Sequence, residues 1–442
     1  MEFASPPPDS GTKKHCEEIL VFKTKSTQES LGTETKRRYK LAIVAPTCFY
    51  YQVDLFRQLA AHPRIDLTVY FCSDEFLHGR DIREMYQVDK AWGDESELLV
   101  GYQHKFLPNQ SPMPSYLRWP YGLMNFSIWK EIKDNRPDAV ILMSWMNITW
   151  WIAIAACLRS RIPILYMTDA NVQSELTGPS WKKWFKKLFL KNMLFKMATG
   201  FLCAGTANRL LYEFYGAPEE KLVPFAYSWG YESHLRAWED LKPRRAELRA
   251  QQGIADGSFV ILYCGRLATE KRVWDLLEAY RLVNCKNKIL AIVGSGGLQN
   301  EMQEHVVKHG LDSVRFLGFQ TRFEVRQYYA TADLLVLPSA RETWGIVVNE
   351  ALCYELPVIV SDQVGAGRDM VRDGENGFIY PSGDVEALTL RLQQVIDLSE
   401  EERRLMGLRS RQLIEKWVKR DLVQSLDRYI DFIYSNKFPG KI

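Results

Sequence analysis

The 442-residue sequence has little that would mark a metal, disulfide or nucleic-acid protein. Its eight cysteines, at positions 16, 48, 72, 157, 203, 264, 285 and 353, form no CxxC pair and have no ligand-like spacing to histidine. Basic and acidic side chains are nearly balanced, 57 against 54, so net charge gives no support to nucleic acid as a partner. This composition predicts a reduced, intracellular protein without a structural metal.

Long apolar segments are also scarce. Residues 1–39 are rich in Ser, Thr, Lys, Glu and Pro and contain no apolar run of signal-peptide length, so we interpret them as a disordered leader. The one membrane-span candidate is Ala139–Cys157, nineteen residues without a formal charge. Polar residues interrupt it, which favours a buried strand over 139–144, a loop and an apolar helix over a transmembrane helix.

From Lys40 onward, short apolar runs alternate with longer helical stretches. A first series reads KLAIVAP, IDLTVYFCS, DAVILMS, IPILYMTD and GFLCAG, and a second reads FVILYCG, KILAIVG, VRFLG, DLLVLPS and PVIVSD. Such runs are typical of strands buried on both faces of a parallel sheet. We therefore predict an α/β protein of two Rossmann-like, doubly wound domains, residues 40–228 and 229–419, that face a central cleft. The helical segment 420–436 could return to pack on the first domain.

Charged side chains follow the first strand of the second domain, at the edge where parallel sheets bind ligands. Arg266 and Lys271 lie there, and a guanidinium with an ammonium can neutralise a diphosphate. For any single pair of this kind, surface solvation is the simpler explanation. However, Gly345 opens the helix that contains Glu350, and the amides of its first turn would also face an anion. The two features together predict an anion site.

Two glutamates, Glu342 and Glu350, stand eight positions apart in the otherwise apolar stretch 339–362. A buried carboxylate is costly unless it is paired, although a glutamate on the wet face of a helix is ordinary. Carboxylates accept paired hydrogen bonds from vicinal hydroxyls, which sugars and ribose both supply. We therefore interpret each glutamate as the contact for one end of a sugar nucleotide.

Five segments together closely resemble the second domain of the retaining family 4 glycosyltransferases, which have the GT-B fold. They are ARETWGIVVNEALCYELPVIVSD, CGRLATEKR, FLGF, ATADLLVLPS and VRDGENGFIYPSGD. The resemblance is strongest over residues 258–395 and diffuse over 40–225. It depends on an E-x7-E element preceded by GRL-x-x-EK. It implies transfer of a sugar from a nucleoside-diphosphate sugar, with UDP or GDP as carrier, to an acceptor hydroxyl.

The resemblance also implies roles for individual residues. The Arg and Lys of GRL-x-x-EK would bind the donor diphosphate, the first Glu of E-x7-E the donor sugar, and the second Glu the ribose hydroxyls. Arg266, Lys271 and Glu342 would then be the catalytic residues. The full predicted donor-binding set is Gly265, Arg266, Lys271, Gly294, Phe316, Leu317, Glu342, Thr343, Trp344, Gly345, Ile346 and Glu350.

No protein nucleophile is obvious, which agrees with the front-face route usually described for this family. In that route the departing phosphate oxygen takes the acceptor proton, while Arg266 and Lys271 stabilise its growing charge. Two cations and a helix N-terminus make a divalent metal unnecessary, and no DxD triplet occurs in a suitable place. We predict no metal and no cofactor, with the nucleotide sugar as co-substrate.

The first domain departs from the family pattern at two strand ends. APTCFYYQVDLF stands where many members have a glycine-rich loop, and Ser144 and Trp145 stand where many have a histidine. The candidate acceptor contacts are Tyr50, Gln52, Trp145 and Asp169. A turn or buried cap is an equally good interpretation of Asp169. The expected acceptor is a glycolipid, a lipid-linked sugar or a polysaccharide precursor.

The segment PSWKKWFKKLFLKN predicts a basic amphipathic helix within 181–191. Trp181, Trp184, Phe185 and Leu188 share one stripe of this helix. The other side carries the lysines Lys182, Lys183, Lys186 and Lys187. Docking on an anionic membrane and packing on the sheet with a solvated lysine face both remain open. The protein is expected in the cytoplasm, as a peripheral protein on the cytoplasmic face of a membrane if the helix docks.

Two other functions would keep the same architecture. A nucleotide-sugar epimerase of GT-B fold would need acid-base residues across the cleft and no separate acceptor. An inactive scaffold is the other alternative. The presence of Arg266, Lys271, Glu342 and Glu350 argues against a scaffold, because unused charged groups of this kind would be expected to erode.

Overall fold

The computed structural model describes residues 37–78, 95–173, 180–225, 230–418 and 422–437. Nearly all of the segment predicted as a leader, residues 1–39, lies outside these ranges. The first strand begins at Tyr39, which is buried and donates its backbone N–H to the carbonyl of Arg64 at 2.7 Å. The sheet of the first domain therefore starts one residue inside the predicted leader.

Seven parallel strands form the first sheet, in the order β3-β2-β1-β4-β5-β6-β7. Leu41 of β1 is paired with Leu67 on one side and with Ala139 on the other. The apolar runs are buried because helices cover both faces of the sheet. The strands are β1 Tyr39–Ala45, β2 Ile65–Phe71, β3 Gln103–Phe106, β4 Ala139–Leu142, β5 Ile164–Met167, β6 Gly200–Cys203 and β7 Leu222–Pro224.

Six parallel strands form the second sheet, in the order β10-β9-β8-β11-β12-β13. Leu262 of β8 is paired with Ala291 and with Leu335. The strands are β8 Phe259–Cys264, β9 Lys288–Val293, β10 Val314–Gly318, β11 Leu334–Leu337, β12 Val358–Ser361 and β13 Gly377–Tyr380. The prediction of two Rossmann-like α/β domains is confirmed.

Helices connect the strands of both sheets. Those that precede the second sheet are α1 Val53–Ala61, α2 Glu95–Leu98, α3 Ile128–Asn135, α4 Ile148–Ser160, α5 Ser180–Phe189, α6 Phe195–Met197, α7 Thr206–Phe214, α8 Tyr231–Leu241 and α9 Arg245–Gln251. Those that follow are α10 Val273–Leu282, α11 Gln299–Lys308, α12 Arg326–Thr331, α13 Ile346–Cys353, α14 Gly367–Met370, α15 Val385–Asp397, α16 Glu400–Val418 and α17 Leu422–Lys437.

The strand order reverses at one point in each sheet, between β1 and β4 and between β8 and β11. Open α/β sheets bind ligands in the crevice at the carboxyl ends of the strands on either side of such a point. The loops that reach these crevices contain Tyr50, Trp145, Arg266 and Glu342. The topology therefore places predicted site residues of both domains at binding edges.

The last helix, α17, lies on the first domain although it follows the second domain in sequence. Its Tyr429 donates a hydrogen bond to the carbonyl of Thr199 at 2.8 Å. Its Asp427 and Asp431 form ion pairs with Arg64, both at 2.6 Å. These contacts add the C-terminal helix to the first domain.

The apolar segment 139–157 is divided between β4 and α4, with residues 143–147 joining them. Its strand is shorter than the predicted 139–144. Within the described ranges, no helix combines the length and the apolar character that crossing a bilayer requires.

Candidate functional site

The loops that follow β8 and β9 are packed backbone against backbone. The N–H of Gly265 donates to the carbonyl of Val293 at 2.9 Å. Gly294 has a φ of +129°, and a Cβ at this position would lie 1.9 Å from the carbonyl oxygen of Gly265. Glycine is therefore needed at 294 so that the loop carrying Arg266 can lie against its neighbour.

Lys271 and Glu342 form an ion pair that joins the loops after β8 and β11. Their side chains are only 14% and 15% exposed, so the two charges lie largely out of water and depend on each other. A backbone hydrogen bond from Ala340 to Glu270, 2.8 Å long, ties the same two loops together. Arg266 is in the first loop but pairs with Glu270 instead, at 2.7 Å. The structure thus brings Lys271 and Glu342 together and gives Arg266 a different partner.

The N-terminus of α13 follows directly after the Glu342 loop. Gly345 precedes the helix with a φ of +96°, a left-handed conformation that favours glycine. The N–H of Val348 donates to the carbonyl of Gly345 at 2.9 Å, and the amides of Ile346 and Val347 at the start of the helix can donate to an anion. Trp344 is buried and donates from Nε1 to Asn349 at 3.0 Å, whereas Thr343 is exposed. The Trp344 indole therefore belongs to the core. A contact between this residue and a bound sugar nucleotide would have to use the Trp344 backbone.

Glu350 lies on the second turn of α13 and is 9% exposed. Its Oε2 accepts a hydrogen bond from Tyr329 at 2.7 Å, and its Oε1 lies 3.6 Å from Nε2 of His234. Burial raises the pKa of the Glu350 carboxyl. Burial, with smaller effects from Arg326 and Arg322, lowers the pKa of His234 to about 3, so this imidazole is neutral at neutral pH. The Glu350 carboxyl is therefore held by the hydrogen bond from Tyr329, with the neutral imidazole of His234 beside it.

A cavity of about 470 Å³ lies between α8 and the segment 323–327. Ser233, Arg236 and Arg326 are among its lining residues, and Arg326 donates a hydrogen bond to Ser233. Arg326 is close enough to Glu350 to oppose the upward shift in its pKa. The volume is within the range of small-molecule sites. The cavity is open to solvent and is lined by none of the predicted donor-binding residues, and Arg326 connects it to Glu350.

Phe316 and Leu317, the predicted donor contacts at the end of β10, are half-buried. The carbonyl of Leu317 accepts a hydrogen bond from the side chain of Gln320 at 2.7 Å. The N–H of Gly294 donates to the carbonyl of Gly318 at 2.8 Å, which connects this strand end to the loop after β9. These two residues thus lie at the same edge of the sheet as Gly265 and Gly294.

The first domain contacts the loop that carries Glu342. The side-chain amide of Asn171 donates to the carbonyls of Glu342 and Thr343, at 2.8 and 3.0 Å. Thr206 donates from its hydroxyl and its backbone to Asp369, at 2.6 and 2.9 Å. Sequence reasoning missed these residues, as it missed His234 and Tyr329, because the partners are far apart in the chain and no motif marks them. The only signal was that Asn171 follows a strand end.

The candidate acceptor residues lie along the edge of the first sheet. Tyr50 and Gln52 belong to a 3₁₀ turn after β1, and Gln52 is buried. Asp169, after β5, accepts a hydrogen bond from Tyr51 at 3.4 Å, which joins the loops after β1 and β5. Trp145 follows β4, which lies between those two strands, and packs edge-on against a tyrosine of β5 at 6.1 Å. The four predicted residues therefore occupy three neighbouring strand ends.

Helix α5 exposes part of its apolar stripe. Trp184 is 59% and Leu188 46% exposed. The ammonium groups of Lys186 and Lys187 lie over the rings of Tyr215 and Phe214, at 5.4 and 4.7 Å. The other predicted side chains, Trp181, Lys182, Lys183 and Phe185, are outside the described part. The two stripe residues that the structure describes, Trp184 and Leu188, are thus largely exposed.

Comparison with known sequences finds similarity that includes a family match in the second domain. Residues 244–412 match the family model for glycosyl transferases group 1. The putative glycosyltransferase EpsD of Bacillus subtilis is 33% identical over 151 residues, which are 34% of this chain and 39% of that protein. The sulfoquinovosyl transferase SQD2 of Arabidopsis thaliana is 26% identical over 323 residues, 69% of this chain and 59% of that protein. For EpsD and similar relatives, the chain spans about two fifths of the relative's length.

Comparison with solved structures identifies the fold. HepE of Anabaena, solved in complex with UDP and glucose, has a TM-score of 0.65 at 18% identity, over 90% of this chain and 100% of that chain. WaaG, a glycosyltransferase involved in lipopolysaccharide biosynthesis, has a TM-score of 0.59 at 17% identity, over 89% and 99%. The predicted GT-B fold is confirmed. The protein therefore has the GT-B fold, and residues 244–412 of its second domain are similar to glycosyl transferases group 1.

Proposed function

We propose that the protein is a retaining, metal-independent glycosyltransferase of family 4 that moves a sugar from a nucleoside-diphosphate sugar to an acceptor hydroxyl. The observation that carries this proposal is the Lys271–Glu342 ion pair at the switch point of the second sheet, inside the segment that matches the group 1 model. The names of EpsD and SQD2 support sugar transfer, and the UDP and glucose bound to HepE support the donor class.

Lys271 and Arg266 stabilise the leaving diphosphate in this proposal. As the sugar–phosphate bond breaks, negative charge grows on the departing oxygen, and the acceptor proton passes to that oxygen as the new glycosidic bond forms on the same face. Glu342 holds the ammonium of Lys271 in position before the donor arrives. A cation fixed in this way favours the transition state over the ground state, since the charge it binds is still growing.

Glu350 binds the ribose hydroxyls of the donor in this proposal. Tyr329 already occupies one carboxylate oxygen at 2.7 Å, while the other oxygen has, among the residues that the structure describes, the more distant His234 at 3.6 Å. The second oxygen can therefore accept hydrogen bonds from a diol. The nearby cavity gives the rest of the nucleoside a place between α8 and segment 323–327.

The acceptor is a glycolipid, a lipid-linked sugar or a polysaccharide precursor, and α5 docks the protein on the cytoplasmic face of an anionic membrane. The exposed Trp184 and Leu188 support docking because such side chains favour the membrane interface. Among the relatives, an alpha-monoglucosyldiacylglycerol synthase of Acholeplasma laidlawii is 33% identical over 137 residues. Its name supports a lipid acceptor.

Calorimetric titration with UDP and with GDP, in the presence and absence of EDTA, tests the donor assignment. We expect one nucleotide to bind with the same affinity under both conditions. The Glu350→Gln variant should bind that nucleotide more weakly, whereas Glu239→Gln, a change at an exposed glutamate of α8, should not. Indifference to both nucleotides would contradict the donor assignment, and loss of binding in EDTA would contradict metal independence.

Replacing Lys182, Lys183, Lys186 and Lys187 by glutamate tests the docking of α5. Each lysine near an anionic surface contributes about 1 kcal/mol, and charge reversal turns attraction into repulsion. The variant should no longer sediment with phosphatidylglycerol vesicles but should still bind the nucleotide. Wild-type protein that stays in the supernatant at both low and physiological salt would rule the docking out.

A further inference from the structure

The segment between β3 and α3 exposes several large apolar side chains that lie close together in the sequence. We call residues 108–125 the aromatic loop. Its Trp119 is 63% and its Tyr121 56% exposed, and Met113 and Leu117 are about half exposed. Trp, Tyr and Leu side chains scattered singly on a surface are normal, but several within one short loop mark a contact surface.

The aromatic loop is held firmly at its base. Asn125 is buried and donates to the carbonyls of Cys72 and Leu107, at 3.0 and 2.9 Å. Asn109 donates to the carbonyl of Gly122 at 2.9 Å and accepts from the N–H of Met124 at the same distance. The exposed side chains are therefore presented by an ordered support with a polar base and an apolar tip.

The aromatic loop and α5 flank the same helix, α4. The N–H of Ile148, the first residue of α4, donates to the carbonyl of Pro120 in the loop at 3.2 Å. One turn further on, Trp151 packs against Phe189 of α5, with ring centroids 5.7 Å apart. The exposed residues on the loop and on α5 thus belong to neighbouring elements of one surface.

The three segments that form this surface are basic in sequence. Segments 108–130, 144–161 and 180–197, which contain the aromatic loop, α4 and α5, have no aspartate or glutamate, although the chain as a whole has nearly as many acidic as basic residues. Their ten basic residues are Arg118, Lys130, Arg159, Arg161, Lys182, Lys183, Lys186, Lys187, Lys191 and Lys196. The described acids beside these segments are engaged: Glu75, which is buried, accepts from the N–H of Tyr116 at 3.2 Å, and Glu131 pairs with Lys105. Exposed aromatics on and beside basic segments match an anionic bilayer, whose headgroup region takes up Trp and Tyr.

We propose that the tip of the aromatic loop, residues 113–121, inserts into the headgroup region of an anionic bilayer and forms a two-point docking surface with α5. This inference deepens the membrane docking in the proposed function and rests on it. Because the loop is hydrogen-bonded to the start of α4, just after the strand end that carries Trp145, docking places the acceptor edge of the first sheet at the membrane surface. A lipid-linked acceptor then reaches the cleft without leaving the bilayer.

Co-sedimentation with vesicles of equal parts phosphatidylglycerol and phosphatidylcholine tests the loop. The Trp119→Ser/Tyr121→Ser variant should bind about tenfold more weakly or worse, because it loses two interfacial aromatic side chains. The loss should persist at high salt, which screens the contribution of the lysines but not that of the aromatic rings. The control is Val307→Ser/Leu390→Ser, which removes two exposed apolar side chains of the second domain. This control should bind as the wild type does.

Three results would overturn the inference: equal vesicle binding by the loop variant and the wild type, an equal loss in the control, or a loop variant that changes only the oligomeric state. The last result would show that a second copy of the chain covers this surface. Nucleotide binding by the loop variant checks that it is folded. Unchanged nucleotide affinity with lost vesicle binding separates a failure of docking from a failure of the donor assignment.

Discussion

The two domains present different chemistry at the same topological position. After β8 and β11, the second domain pairs Lys271 with Glu342, and both side chains are nearly buried. After β1 and β4, the first domain presents Tyr50 and Trp145, each packed against tyrosine rings. Fixed charges suit a diphosphate whose charge grows during the reaction, and aromatic rings suit an apolar or ring-shaped acceptor. The same architecture thus occurs twice, and the residues at the strand ends of each crevice determine which kind of ligand suits it.

The domains also differ in the exposed aromatic side chains and the ion pairs on their surfaces. The exposed tryptophans of the described residues, Trp119, Trp129 and Trp184, all belong to the first domain. The basic residues of the second domain more often pair with carboxylates, as Arg245 and Arg249 do with Asp333 at 2.6 and 3.2 Å. This difference supports the proposed docking of the first domain on a membrane.

Removing the charge of Lys271 should produce the largest effect. Lys271→Ala should lower turnover by about 10²-fold or more at saturating donor, because it removes preorganised stabilisation of the leaving group. Lys242→Ala, which breaks an exposed ion pair with Glu355 in the second domain, should leave turnover unchanged. Initial rates with a radiolabelled sugar nucleotide measure both. Near-normal turnover of the Lys271 variant would show that its cation does not act on the leaving group.

The pH dependence of stability should show the next largest effect. The folded protein keeps His234 neutral down to its lowered pKa of about 3, whereas the unfolded chain takes up a proton below about 6.5. Stability is therefore lost as the pH falls below 6.5, by about 2 kcal/mol at pH 5. His234→Asn should remove this part of the difference between pH 7 and pH 5. The raised pKa of Glu350 has the opposite effect on stability, which it lowers as the pH rises. This effect is present in both the wild type and the His234 variant.

Urea unfolding at the two pH values measures this difference. His309→Asn replaces an exposed histidine of the same domain and should leave the pH dependence unchanged. An identical pH dependence in the wild type and the His234 variant would mean that His234 is protonated equally in the folded and unfolded states.

The sequence predicted the fold and the charged edge of the second domain because both depend on short, continuous stretches of sequence. Ten of the thirteen described strands are apolar runs that the sequence predicted, whereas β3, with the sequence QHKF, and the short β7 and β13 were not predicted. Arg266, Lys271 and Glu342 follow strand ends within short motifs. The partners of these residues were not predictable in the same way. His234 reaches Glu350 from a helix more than a hundred residues earlier, and no periodicity or spacing records such a contact.

Contacts between the domains are a second feature that could not be predicted from the sequence. Asn171 reaches the Glu342 loop over 171 positions, and Thr206 reaches Asp369 over 163. The sequence also does not determine what an apolar stripe faces. The pattern of an amphipathic helix shows which residues share a face but not what covers that face. For α5, only the structure shows that Trp184 is exposed.

Releasing the Glu342 loop from the first domain should have an intermediate effect. Asn171→Ala removes a donor from the carbonyls of Glu342 and Thr343. The Glu342 carbonyl keeps the N–H of Gly365 at 3.1 Å, so the cost falls on the Thr343 carbonyl and is about 1–3 kcal/mol where such a group is buried. We expect kcat/KM for the donor to fall roughly tenfold, since 1.4 kcal/mol corresponds to a factor of ten. Asn135→Ala, which removes a side-chain hydrogen bond to Tyr70 in the first domain, should leave the rate unchanged. Equal rates for the two variants would show that the first domain does not position this loop.

The smallest effect should come from the hydrogen bond that supports Glu350. Tyr329→Phe removes the donor at 2.7 Å from Oε2, and a net loss of about 1 kcal/mol would weaken nucleotide binding about fivefold. The pKa of Glu350 should rise further, because the hydrogen bond from Tyr329 opposes the effect of burial, so the weakening should grow as the pH falls toward 5. Tyr328→Phe, at the adjacent half-buried tyrosine, is the matched control, and calorimetry with the preferred nucleotide measures both. If the Tyr329 variant bound the nucleotide as tightly as the control at every pH, the charge at the second domain's edge would not depend on its buried support, and Glu350 would not contact the ribose through the geometry seen here.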